Sequence, residues 1–390
     1  MSEELKFPDN FYWGTGTAAF QVEGNTENND WAEGAKLGKL PVIGRACDSY
    51  NRYNEDFDIA KSLGQNAHRF SIEWSRIEPE EGKFNDEEIE HYRKVIRALK
   101  ERGLEPFVTL WHFTLPTWFY KMGGFENPKS PKIFARYCEH VLERLGDEAK
   151  FWVTINEPMV YVGFGYGSGL FPPFKKNVFA LLRVMSNLVT SHNIIYGNLK
   201  KLNKNIEIGI AFSMVDYISN RNPINVLKAK ISEYFGNLRF LNKTIKSLDF
   251  IGLNYYIPKQ FGSGLKLERS DMDWEIYPKG ICDLLLGLKK YTKPVFVTEN
   301  GIADAGDEKR TKFIKDHLYW VAQAINKGVD VRGYLYWSLL DNYELHRGYK
   351  YRFGLVEMNY ETMERHIRPS AYEYKQICET NSLKIDNINI

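Results

Sequence analysis

Cysteine is scarce and scattered, with four residues in 390, at positions 47, 138, 282 and 378. No two of them form a CxxC pair, which excludes a zinc site of that type and a dense disulfide framework. Net charge is also small, at +2 with no basic block or acidic tail, so composition gives no case for nucleic-acid binding. No apolar run approaches the ~18 residues of a membrane span. The opening MSEELKFPDN lacks the charged-then-apolar pattern of a secretion signal. The expectation is a soluble, cytoplasmic protein without a membrane partner. Linkers, low-complexity stretches and internal repeats are missing too, so nothing marks a domain boundary.

What the chain has in quantity is aromatic side chains, with 9 Trp, 24 Tyr and 24 Phe making up 15% of it. Aromatics mostly fill cores, but a surplus also suits stacking on the apolar faces of flat, hydroxyl-rich ligands. Short β-branched and aromatic runs alternate with longer amphipathic ones. The predicted strands are Phe11–Phe20, Asn66–Ile72, Glu105–Trp111, Phe151–Ile155, Ile206–Phe212, Phe250–Tyr255, Pro294–Thr298 and Gly333–Trp337. Helical spacing predicts Asp86–Glu101, with Gly103 as its stop, and Pro131–Leu145, with Ser130 as N-cap. Phe179–Leu202, Lys309–Asn326 and Pro369–Glu379 also read as helices. Pro258–Gly280 shows no period and reads as a loop. Eight strand–helix alternations predict an α/β protein whose parallel sheet closes into a (β/α)8 barrel, with a doubly wound sheet as the other possibility. Such a barrel takes roughly 250 residues; the remainder would lie in loops, and the whole chain would form one domain.

In that barrel, reactive side chains stand at the C-terminal strand ends. Those positions hold Gln21 and Glu23, Arg69 and Glu73, His112, Asn156 and Glu157, Asn254 with Tyr255 and Tyr256, Glu299 and Asn300, then Trp337 with Asp341, Asn342 and Glu344. Glu157 ends FWVTIN and Glu299 ends PVFVT, on strands four and seven, which face across the mouth. Opposed carboxyls in an aromatic cleft are what glycosidic bond cleavage requires, one as proton donor and the other as nucleophile or base. The plain alternatives are solvated loop glutamates, a structural ion pair for Arg69, a core histidine for His112 and barrel core for Trp337. No other histidine stands at ligand spacing from His112, so no metal site is expected. The run Gly163–Gly169 lacks the Lys-Ser/Thr of a phosphate loop and reads as a turn.

FYWGTGTAAFQVEG, RFSIEWSRI, TLWHFTLPTWF, TINEP, NYY, VTENG and YLYWSLLDNYE, in this order, resemble the glycoside hydrolase family 1 β-glycosidases from about Phe7 to Tyr374. The resemblance implies a single barrel domain and a retaining, cofactor-free exo-β-glycosidase, most simply a β-glucosidase, acting on a small β-glycoside or oligosaccharide. It implies Glu157 as acid/base and Glu299 as nucleophile, with Arg69 and Tyr256 supporting Glu299. Asn156 is implied at the sugar 2-hydroxyl, Gln21, His112 and Glu344 at the other hydroxyls, and Trp337 beneath the ring. Two departures stand out. Leu345 replaces the usual tryptophan after Glu344, which leaves His346 or Arg347 to make good the lost donor. The stretch between strands four and six is short, which predicts a cleft open on the leaving-group side. Glu344 argues against a 6-phosphosugar, although Lys350 and Arg352 lie close in sequence. Transglycosylation through the same intermediate and a non-catalytic sugar-binding barrel are the remaining alternatives.

Overall fold

The computed structural model describes residues 4–385. Eight parallel strands close on themselves: β1 (Tyr12–Gly16), β2 (Ala67–Ser71), β3 (Glu105–Thr109), β4 (Phe151–Asn156), β5 (Glu207–Ser219), β6 (Phe250–Phe261), β7 (Val295–Asn300) and β8 (Val331–Trp337). Closure comes from β1, which pairs with β2 through Gly14 and Ala67 and with β8 through Tyr12 and Gly333. The doubly wound alternative is thereby excluded. A helix follows each strand: α1 (Ser49–Ser62), α2 (Asp86–Glu101), α3 (Ser130–Leu145), α4 (Val178–Leu202), α5 (Pro223–Glu233), α6 (Lys279–Leu288), α7 (Arg310–Asn326) and α8 (Pro369–Thr380). Outside the barrel, Glu4–Lys6 pairs antiparallel with Ser382–Lys384.

The helices form where caps and apolar stripes coincide. Asn85 caps α2 by accepting from the amides of Glu87 and Glu88 at 3.0 and 3.4 Å. Three acidic residues then fill its first turn, at the positive end of the helix dipole. Ile89, Tyr92, Val95, Ile96 and Leu99 form its buried face. Gly103 takes φ +68°, a left-handed stop that glycine adopts without strain. Ser130 does not cap α3: it is the first helical residue, and its hydroxyl donates to the Phe125 carbonyl at 3.3 Å. By length and composition α4 would suit a membrane span, which the sequence reading did not find. Val184, Leu188, Ile195 and Leu199 are buried in the fold, and His192 Nε2 lies 2.7 Å from the Ser247 carbonyl, which seats α4 in the helix ring.

Two predicted elements differ from the fold. The first strand ends at Gly16, because Ala19–Val22 turns into a single helical turn that carries Gln21 over the barrel mouth. Pro258–Gly280 is not loop throughout. Pro258–Phe261 prolongs β6 and pairs with Asp216–Ser219 of β5, so these two strands run on beyond the barrel rim. Proline fits there at the cost of one ladder donor. Lys279 and Gly280 open α6. Only the middle, 262–278, is loop, folded back by the Arg269–Glu275 bridge.

Candidate active site

Seven of the eight strand ends contribute the expected residues of the site, and the ladder shifts register near it on three of them. The shifts fall between Val153 and Asn156 on β4, between Leu253 and Asn254 on β6, and between Val297 and Asn300 on β7. Such irregularities re-aim side chains at the end of a ladder. Glu157 follows β4 in a left-handed conformation, φ +45°, an uncommon one for a residue with a Cβ. Pro158 at the first helical position disfavours a right-handed helical Glu157 and starts the next helical turn. The Glu157 amide donates to the Ala211 carbonyl of β5 at 2.8 Å, which anchors the bend.

Glu299 is gripped from two sides. Arg69 Nη1 donates to its Oε1 at 2.5 Å, and the Tyr256 hydroxyl donates to its Oε2 at 2.7 Å. Arg69 is itself fixed, with Nε donating to Thr109 Oγ1 at 3.0 Å and Nη2 to Asn156 Oδ1 at 2.6 Å. Both arginine and carboxylate are almost fully buried, so each is the other's main solvation. Tyr255 points the opposite way, its hydroxyl donating to the Tyr277 carbonyl at 2.7 Å, so Tyr256 alone of the pair reaches the mouth.

Glu157 has a different environment. Asn254 Nδ2 donates to its Oε1 at 3.0 Å, and no cation pairs with it among the described residues. Burial and then the nearby charge of Glu299 push its carboxyl up from 4.5 to about 8, so it holds its proton at neutral pH. Burial and Glu299 likewise push Glu344 up to about 8. His112 lies beside Asn156, Nε2 to Nδ2 3.2 Å, and its Nδ1 is buried without a protein partner among the described residues. Burial and the Arg69 charge keep that ring neutral. Trp337 faces it nearly parallel, with ring centres 5.9 Å apart.

A cavity of about 250 Å³ gathers Gln21, His112, Asn156, Glu157, Tyr256, Glu299, Trp337 and Glu344, while Arg69 lies behind Glu299. Every residue expected at the site is therefore brought together. Other strand-end residues are scaffold. Glu23 accepts from Arg76 and Tyr92, Glu73 accepts from Ser75 and Thr114, and Asp341 pairs with Arg368. Asn342 orients Gln21 by accepting from its amide at 2.9 Å.

The sequence reading missed two groups. Asn254 was named at its strand end but given no task; held by Thr298 Oγ1 at 2.6 Å, it links Asn156 to Glu157. The apolar wall of Phe164, Met214, Ile257, Met272, Trp274 and Phe353 was not foreseen. Met272 and Trp274 come from the aperiodic loop, where an exposed-looking tryptophan was the only signal. Phe164 belongs to the glycine run, which folds as a π-helical segment, Gly163–Ser168, and not as a simple turn.

Barrel and mouth together define a barrel enzyme of the glycoside-hydrolase kind. The model of Glycosyl hydrolase family 1 matches residues 3–247 and 259–383, and the chain belongs to that family. Beta-glucosidase A of Acetivibrio thermocellus is 32% identical over 97% of this chain and 99% of its own length. A β-glycosidase from Pyrococcus horikoshii superimposes with a TM-score of 0.92 at 40% identity, covering 100% of this chain and 97% of that one. The 6-phospho-beta-glucosidase GmuD of Bacillus subtilis is 28% identical over 97% of this chain and 98% of its own length.

Proposed function

We propose that this protein is a retaining exo-β-glycosidase acting on terminal, unphosphorylated β-glucosides and related sugars. The observation that carries the reading is the unequal pair of carboxyls in one cavity. Glu299, held by Arg69 and Tyr256, is the nucleophile: it attacks the anomeric carbon while Glu157 gives its proton to the leaving oxygen. Once Glu299 is an ester its charge is gone, and with it one of the two causes that raise Glu157. The Glu157 carboxyl then falls toward its ordinary range and takes the proton of the incoming water. Asn156, whose Oδ1 accepts from Arg69, turns its amide nitrogen to the sugar 2-hydroxyl. Gln21, His112 and Glu344 take the other hydroxyls over the Trp337 face.

The apolar wall, together with the short stretch between β4 and β6, supports bulky, apolar leaving groups. A phosphorylated sugar fits less well. Glu344 stands in the cavity, and Arg352 is committed to Asp341 and to the Met358 carbonyl. The test is an NMR time course on 4-nitrophenyl β-glucoside. β-Glucose appearing before mutarotation supports double displacement, and α-glucose first overturns it. No turnover of glucoside, galactoside or 6-phosphoglucoside would make a non-catalytic sugar-binding barrel the better reading.

A further inference from the structure

The loop after β8 has an unusual shape with a chemical consequence. Glu344 donates its amide to the Gly348 carbonyl at 2.7 Å, and Gly348 donates back to the Leu345 carbonyl at 3.0 Å. Inside this clasp Leu345 takes φ +46°, left-handed and uncommon for a branched side chain. Tyr343 pins the entry, its hydroxyl donating to the Pro41 carbonyl at 2.7 Å. As a result three successive residues, Glu344, Leu345 and His346, all line the cavity that holds Glu157 and Glu299. Arg347 does not line it and is exposed.

Leu345 can offer that cavity no hydrogen bond. His346 can. Its ring packs against Phe171 and Phe164, with centres 5.6 and 6.2 Å away, so its position is set by apolar contacts. Neither ring nitrogen bonds to protein among the described residues, and only Nδ1 is sealed from solvent, which leaves Nε2 to meet a ligand. Burial and the neighbouring Arg347 lower the ring to about 4, so the imidazole is neutral and offers one donor and one acceptor. A nitrogen on a cavity wall, oriented by aromatic packing and without a protein partner, is suited to a hydroxyl brought in by the ligand.

We infer that His346 is a specificity-determining residue: its imidazole hydrogen-bonds a hydroxyl of the terminal sugar on the edge held by Glu344. The inference rests on the proposed glycosidase reading for its choice of ligand.

The test compares the parent with His346→Phe, which keeps a ring against Phe164 and Phe171 but removes both nitrogens, and with His346→Gln, which restores a donor and an acceptor. Substrates are the 4-nitrophenyl β-glucoside, the β-galactoside, which inverts its 4-hydroxyl, the β-xyloside, which lacks its C6 group, and the β-fucoside, which is the galactoside without the 6-hydroxyl. His346→Phe is expected to lower kcat/KM about tenfold on the preferred glycoside, as for one neutral hydrogen bond. It should lower it less than twofold on an analogue that lacks or inverts the contacted hydroxyl, and His346→Gln should recover part of the loss. Arg347→Ala should leave all four unchanged. An equal loss on every sugar, or no loss at all, overturns the assignment. The Kd of deoxynojirimycin, measured by calorimetry, reads the contact without turnover. A rise of about tenfold in His346→Phe supports the inference, and an unchanged Kd overturns it. Should the parent hydrolyse none of the four glycosides, the glycosidase reading fails and the Kd still decides the role of His346.

Discussion

The two ends of the barrel contrast in what their charges do. The cavity at the mouth is about 250 Å³, and one at the floor is about 330 Å³. Its charges, however, are rim ion pairs, Lys150 with Glu207 at 3.1 Å and Arg332 with Asp330 at 2.8 Å, well exposed to water. Beneath them Tyr12, Phe107, Phe151, Phe250 and Phe296 fill the barrel, Phe107 and Phe151 stacking at 4.4 Å. At the mouth, Arg69, Glu157 and Glu299 are buried, and burial together with the charge of Glu299 raises the carboxyl of Glu157. Cavity size does not distinguish the ends. Chemistry sits where ionisable groups are withdrawn from water and placed within reach of each other, because burial strengthens the effect of a charge on its neighbour.

The largest effect should come from Glu299→Ala, which removes the nucleophile from the mouth: kcat on 4-nitrophenyl β-glucoside should fall by about 10⁴-fold or more. Steady-state assays that retain activity within tenfold would break the contrast. Next, Glu157→Gln should lower kcat/KM by about 10²- to 10⁴-fold on alkyl glucosides and far less on dinitrophenyl glucosides, whose leaving oxygen needs no proton. The parent should lose activity as pH rises through about 8, where Glu157 ionises, and this limb should vanish in the variant. Equal losses on both substrate types would remove Glu157 as the acid.

Tyr256→Phe should reduce kcat by roughly 10- to 100-fold, the worth of one hydrogen bond to a charged carboxylate. A smaller effect separates stability from activity. Glu157 rises from 4.5 to about 8 on folding, so the folded chain binds more protons than the unfolded one between those values. Stability is therefore lost as pH rises through that window. Glu157→Gln removes the cost, and its Tm relative to the parent should grow by a few degrees from pH 5 to pH 8; a constant difference would show that Glu157 is not forced to ionise in a buried place. Smallest of all, Lys150→Ala at the floor should leave kcat/KM within twofold and Tm within about 1 °C, since exposed pairs contribute little.

Much of the architecture was legible because its signals are local. The run PVFVT ends in Glu299 and FWVTIN in Asn156–Glu157, and the strands stop within a residue or two of those points. β6 was read too short because the stretch from Pro258 onward shows no period, while its actual partner, β5, lies more than 30 residues earlier and carries the pairing past the rim. Trp274 was missed for a related reason: a loop with no period shows its contacts only after the chain has folded back. Asn254 was visible at a strand end, but its use follows from meeting Asn156, Glu157 and Thr298, which come from two other strands.

By itself the sequence determined the alternation of strands and helices, the closure number and the carboxyls at the ends of the fourth and seventh strands, since spacing and side-chain type act over a few residues. Tertiary structure alone decided that His346 and not Arg347 enters the cavity, that Asn254 links Asn156 to Glu157, and that Glu157 keeps its proton. Those outcomes depend on burial and on charge at short range between segments far apart in the chain, quantities that exist only after the barrel has closed.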